Sequence, residues 1–130
     1  MFKNNHLRYI LAVPLIAGLF VHAHAQRGYP TKPIRLIVGF PPGGNADAAA
    51  RLTAQRLGES LGVNVVVENR GGAGGSIAAQ LAARAPNDGY TLLWSSPGAL
   101  TVNRVLERNL GYNPETAFHT VGRTFTFCNV

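Results

Sequence analysis

The chain has 130 residues, with 12 lysines and arginines against 6 acidic residues, and a single cysteine. This is enough for one small domain, and the lone Cys128 excludes an internal disulfide framework. The basic residues stand singly, with no cluster interleaved with aromatics, which argues against nucleic acid as a partner.

Residues 1–25 have the layout of a secretory signal peptide. Lys3 and Arg8 form a positive start, an uncharged run follows from Tyr9 to Val21, and Ala23-His24-Ala25 makes an A-x-A cleavage site. The apolar run is 13 residues long, whereas a membrane-spanning helix needs about 20. Cleavage after Ala25 is therefore expected. The mature chain would begin at Gln26 and keep ten basic residues against six acidic, since only Lys3 and Arg8 are lost. That mild positive balance favours anionic solutes weakly. Three of the four histidines lie in the removed segment, which leaves His119 and no expected metal site.

The rest alternates short apolar runs with alanine-rich stretches. Pro33 to Phe40 reads as a buried strand, stopped by Pro41-Pro42-Gly43-Gly44. A helix then starts near Asn45, whose side chain suits an N-cap. Ala46, Ala49, Ala50, Thr53, Leu57 and Leu61 fall on one helical face. Asp47, Arg51, Gln55 and Glu59 fall on the other at i, i+4 spacing. Asp47 lies in the first turn, where the helix dipole favours negative charge, and Gly62 ends the helix.

Asn64 to Asn69 is rich in β-branched residues and reads as a second strand. The loop Arg70-Gly71-Gly72-Ala73-Gly74-Gly75 follows, then a short helix from Ser76 to Ala83, stopped by Pro86. Asn87-Asp88-Gly89 is a turn. Tyr90 to Ser95 is a third strand, Ser96-Pro97-Gly98 a third loop, and Ala99 to Leu106 a third helix. The order β-α-β-α-β-α predicts an α/β fold with three parallel strands and right-handed crossover helices.

In an open α/β sheet, ligands bind at the carboxyl ends of the strands. All three loops lie on that edge, and each opens a helix. Helix N-termini offer unpaired N–H groups and a positive dipole end, which suits an anion without a charged side chain. Glycine lets the backbone come close to a ligand. The same glycines also serve simply as tight turns, so one loop alone is a weak signal.

Other chemistries fit poorly. There is no G-x-x-x-x-G-K-[ST] run, and the first turn lacks G-x-G-x-x-G, so no nucleotide cofactor is expected. No G-x-S-x-G elbow is present, and Ser76, Ser95 and Ser96 have only His119 beyond the signal segment as a potential base. The six carboxylates show no acid/base pairing by spacing, and an enzyme is not expected.

The stretches Tyr29 to Arg51 and Val65 to Leu93 resemble the Bug family, the solute-binding proteins of tripartite tricarboxylate transporters. The strand–Glu68-Asn69-Arg70–glycine-loop run, followed by Ala85-Pro86-Asn87-Asp88-Gly89-Tyr90, is its most specific feature, and Tyr112-Asn113-Pro114 and Phe118 continue it. The resemblance implies a periplasmic protein that closes two lobes over a small organic acid and delivers it to membrane transporter subunits without catalysis. It places ligand contacts on Phe40, Pro41, Pro42, Gly43 and Gly44, on Gly72, Ala73, Gly74, Gly75 and Ser76, and on Ser95 and Ser96. Asp47 matches an acidic family position, either touching ligand or capping its helix.

Family members run to about twice this length and more, so residues 26–123 are expected to form the N-terminal part of a first lobe. Thr124 to Val130 reads as a divergent tail, the second lobe as absent, and the chain as weakly functional or non-functional alone. Two other readings stand beside this one: a half-fold module completed by a separate partner chain through its open sheet edge, and a small α/β enzyme.

Overall fold

The computed structural model describes residues 28–107 and 109–124. The expected signal segment and the tail from residue 125 onward, with Cys128, lie outside them. Three strands form one parallel sheet in the order β2-β1-β3: β1 (Ile34–Val38), β2 (Val65–Asn69) and β3 (Thr91–Trp94). Ile34 pairs with Val65 on one side of β1, and Arg35 pairs with Thr91 on the other. Helix α1 (Asn45–Leu61) connects β1 to β2, and α2 (Ser76–Ala83) connects β2 to β3. A 3₁₀ turn at Ala73–Gly75 leads into α2.

The strand order follows from the composition of β1. Its sequence, IRLIV, has one polar residue, and four of its five residues are buried. Only the central position covers such a strand on both edges and both faces. The two crossovers run in opposite directions across the sheet, from β1 to β2 and from β2 back past β1 to β3, so right-handed connections put α1 and α2 on opposite faces. Leu36 and Val38 pack against Ala50 and Ala54 of α1, with Phe40, Val65, Val67, Leu92 and Trp94 around them. On the other face Ala78 and Ala79 of α2 are fully buried. Alanine on both helices lets them approach the sheet closely. Full burial of Ile37 contributes about 1.5–3 kcal/mol.

Two expectations for α1 need correction. Gly44, not Asn45, is the N-cap residue, and it makes no side-chain capping bond. Asp47 does not lie on the solvent face; it is buried. The two facts share one cause. The Asp47 carboxylate, three residues into the helix from the N-cap, reaches back past it and accepts the Gly43 N–H at 2.9 Å, so it ties the loop rather than the N-cap amide that a capping box would take. The third helix also differs from expectation. Residues Gly98–Val102 form a π-helical turn, and only Asn103–Leu106 (α3) is α-helical.

At the opposite end of the sheet, the segment before β1 is strapped down. Tyr29 donates its hydroxyl to Gly89 O at 2.6 Å, and Thr31 N–H donates to the Tyr90 hydroxyl at 2.9 Å. Lys32 bridges to Asp88 at 3.1 Å and lies 4.2 Å from the centre of the Tyr90 ring. Asp88 in turn accepts the Tyr90 N–H at 3.0 Å. The turn residues between α2 and β3 therefore anchor the start of β1.

Candidate ligand-binding site

The three loops after the strands meet at the carboxyl edge of the sheet. Their contact depends on glycine. A Cβ on Gly71 would stand 3.0 Å from Pro41 N, so loops one and two touch through backbone. A Cβ on Gly39 would stand 3.3 Å from the Gly75 Cα and 3.5 Å from the Ser95 Oγ. At Gly75 the backbone is left-handed, with φ +94°, and a side chain would stand 3.2 Å from the Ser95 Oγ and 3.3 Å from the Ala99 Cβ. The strand order puts the switch of direction between β1 and β3, which is where open α/β sheets bind ligands.

The residues expected to touch ligand divide into an outer and an inner set. Pro41, Pro42, Gly43 and Gly44 are exposed, as are Gly72, Ala73 and Gly74; Phe40, Ser95 and Ser96 are half-buried. These form a rim of mostly backbone groups. Asp47, Gly75 and Ser76 are buried beneath it. The rim carries no charged side chain, and the first-turn amides of α1 lack intrahelical acceptors by geometry. An open groove of about 840 Å³ beside Lys32, Gly58, Glu59 and Asn64 lies at the other end of the sheet.

Beneath loop one, Asp47 is the centre of a network. Its Oδ2 accepts from Gly43 N–H and from Arg51 Nε at 3.0 Å, and its Oδ1 accepts from Asn69 Nδ2 at 2.8 Å. Asn69 Nδ2 also donates to Phe40 O at 3.1 Å, and Asn69 Oδ1 accepts from Arg51 at 3.1 Å. The Arg51 guanidinium, then the Gly43 N–H and the Asn69 amide, hold the Asp47 carboxyl down at about 2. It is thus ionised at neutral pH, with its acceptor oxygens turned toward the protein.

Beneath loop two, Asn103 takes the corresponding place. Its Nδ2 donates to the Ser76 Oγ at 2.7 Å and to Ala73 O at 3.1 Å. Ala73 has a left-handed backbone, φ +47°, and its neighbours Gly72, Gly74 and Gly75 also have positive φ. Ala73 is the one non-glycine among the described residues with positive φ, a conformation that costs about 1–2 kcal/mol. The Ser95 Oγ is buried beside this loop with no hydrogen-bond partner.

Neither Asn69 nor Asn103 stands out as a site residue in the sequence. Asn69 lies in view within the Glu68-Asn69-Arg70 run. Asn103 carries a fainter signal, an asparagine inside a helix it does not favour. Glu68 has its own role on the outer sheet face. It pairs with Arg35 and with Arg70 at 2.6 Å, and those two guanidinium groups, Arg35 first, hold it at about 2.

Comparison with known proteins gives this geometry a context. Residues 49–128 match the model of the tripartite tricarboxylate transporter family receptor. A Pseudomonas sp. (strain P51) protein, described as a UPF0065 protein in the tcbD-tcbE intergenic region, is 42% identical over 117 residues, which are 88% of this chain and 34% of that protein. A protein of R. palustris solved with adipate superposes with TM-score 0.65 at 44% identity, over 68% of this chain and 30% of that one. MatC from Rhodopseudomonas palustris, solved with bound malate, superposes with TM-score 0.65 at 34% identity, over 69% of this chain and 31% of MatC. The chain thus spans about a third of the length of the relatives it matches.

Proposed function

This chain belongs to the tripartite tricarboxylate transporter family of receptors, and from that premise we propose that its glycine loops form one wall of a binding site for a small carboxylate. The observation that carries this reading is the rim itself. Two glycine-rich loops and two helix N-termini converge at the switch point of the sheet, and their exposed surface is mostly backbone, the Arg70 side chain being paired with Glu68. Such a surface takes an anion through N–H groups. Two relatives of the same fold were solved with adipate and with malate, both dicarboxylates, which supports the class of ligand.

In this reading the N–H contacts fall on Gly44 and on the exposed backbone of Gly72 to Gly74, with Pro41, Pro42 and Gly43 packing beside the acid and Ser96 at the side. Asp47, Gly75 and Ser76 support them from below. The protein is a periplasmic carrier, exported by cleavage after Ala25, that passes its acid to membrane transporter subunits and performs no reaction. A bound acid needs a second wall, which the remaining two thirds of the relatives' length would supply.

The outer edge of β3 has no partner strand among the described residues, and Val105 and Leu106 of α3 are 85% and 72% exposed. These features favour a second reading, in which a separate chain completes the fold. Co-purification of this chain with a polypeptide matching the remainder of a relative would support it.

The first test is a titration of the ¹⁵N-labelled chain with adipate and with malate. Saturable amide shifts confined to the Gly43–Gly44 and Gly72–Gly75 loops are expected, with a dissociation constant near or above about 1 mM, worth about 4 kcal/mol. No loop shift at saturating acid would sink the ligand assignment. A micromolar constant would show that the single wall suffices.

A further inference from the structure

The two loops are held by the same device, used twice. In each unit an asparagine some thirty positions further along the chain donates both protons of its amide to the loop. Asn69 donates to Phe40 O and to the Asp47 carboxylate, across sequence separations of 29 and 22. Asn103 donates to Ala73 O and to the Ser76 hydroxyl, across separations of 30 and 27. In both cases one acceptor is a loop carbonyl and the other a side-chain oxygen in the first turn of the following helix.

An amide is suited to this task. Its two N–H groups lie in one plane and diverge at a fixed angle, so one side chain fixes the loop and the helix end relative to each other. A carbonyl bonded beneath the loop is also removed from the rim. The peptide plane that carries it then presents its N–H side elsewhere.

We propose that Asn69 and Asn103 are positioning residues that turn the Phe40 and Ala73 carbonyls away from the acid-binding rim. Neither is placed to touch ligand: Asn103 is buried, and Asn69 is spanned by Asp47, Arg51 and Phe40. Each acts on its own loop. The proposal rests on the carboxylate reading for its purpose but not for its test.

Each loop holds one reporter amide. Gly43 N–H is bonded to Asp47, and Gly75 N–H is bonded to Gly72 O at 2.9 Å. Arg35 N–H, bonded to Tyr90 O at the far end of the sheet, reports global opening. Hydrogen exchange of the full chain would compare Asn69→Asp and Asn103→Asp, which keep shape and remove the donor. At pH 7, Asn103→Asp should speed exchange at Gly75 by about tenfold or more and leave Gly43 within about twofold. Asn69→Asp should do the reverse. The carboxyl introduced by Asn69→Asp would face Asp47, and two such groups share a proton readily, so lowering the pH to about 5 should restore protection at Gly43. Asn69→Ala, which cannot regain a donor, should show no such recovery.

Should the asparagine variants fail to fold, Arg51→Ala and Ser76→Ala each remove one partner of a clasp and should give smaller, still loop-specific effects. Equal loosening of both loops by either substitution, acceleration at Arg35 to the same degree, or no change at either reporter would overturn the proposal. Adipate and malate then separate it from the function: loop-specific exchange without acid-induced shifts in the unsubstituted chain keeps the clasps and removes the ligand.

Discussion

Beyond the asparagine bonds common to both, the first strand–loop–helix unit secures its loop through charge, and the second through backbone shape. In the first, a 17-residue helix carries Asp47 and Arg51 one turn apart, and the pair secures Gly43 and Asn69. The loop above it is open: a Cβ on Gly43 or Gly44 would meet nothing within 4 Å. Its stiffness comes from two prolines, whose rings fix φ, and from the network below. In the second, the helix has only 8 residues with no acidic residue in its first turn. The loop compensates with four consecutive positive-φ residues, Gly72 to Gly75, packed against Ser95 and Ala99. A carboxylate network tolerates change in the loop but depends on ionisation. A packed backbone ignores pH but leaves no room for a side chain at Gly75.

Substitution of the glycines tests that contrast most severely. Gly75→Val adds a β-branched side chain at φ +94° against neighbours 3.2 and 3.3 Å away. A destabilisation of about 2–5 kcal/mol is expected, read as a lower urea midpoint. Asn103→Ala should come next. It leaves Ala73 O and the Ser76 Oγ without a donor they now have, at a cost of about 1–3 kcal/mol.

Acid should separate the units. The folded-state pKa values of Asp47 and Glu68 are depressed from 3.8 and 4.5 to about 2. The unfolded chain therefore takes up protons first as pH falls. Stability from these groups is complete above about pH 4.5 and is lost as pH drops toward 2. Thermal melting followed by circular dichroism from about pH 6 to 2.5 should show this decline, and Asp47→Asn should flatten part of it. Gly75 should keep its exchange protection in acid longer than Gly43. An equal response would erase the distinction between the loops.

The smallest effect is expected at Gly44, the open N-cap. Gly44→Ser should raise stability by a few tenths of a kcal/mol, because a hydroxyl can cap a first-turn amide. If the rim binds carboxylates through those amides, the same change should weaken binding of malate, and calorimetry on the two proteins would show it.

Much of the fold could be read from the chain itself. Short β-branched runs separated by alanine-rich helical stretches define parallel strands, and Gly62 ends α1 in the left-handed conformation, φ +68°. The clustering of glycines after strands located the loops. The clasps were not legible in the same way, because Asn69 to Phe40 and Asn103 to Ala73 are long-range contacts that no local period encodes. Asp47 shows the difference most clearly. Its i, i+4 spacing to Arg51 suggested a solvated pair, and the salt bridge is present; its burial depends on Asn69 and Gly43, which arrive from β2 and the first loop.

The amino-acid sequence by itself determined the order of elements, the backbone character of the rim and the family, since these depend on local propensity, turn chemistry and motif. The tertiary structure alone decided that the loops meet through Gly39, Gly71 and Gly75, and that two asparagines hold them. The reason is physical. Local conformation follows from neighbouring residues, whereas burial and hydrogen-bond partnership exist only once distant segments pack and water is excluded between them.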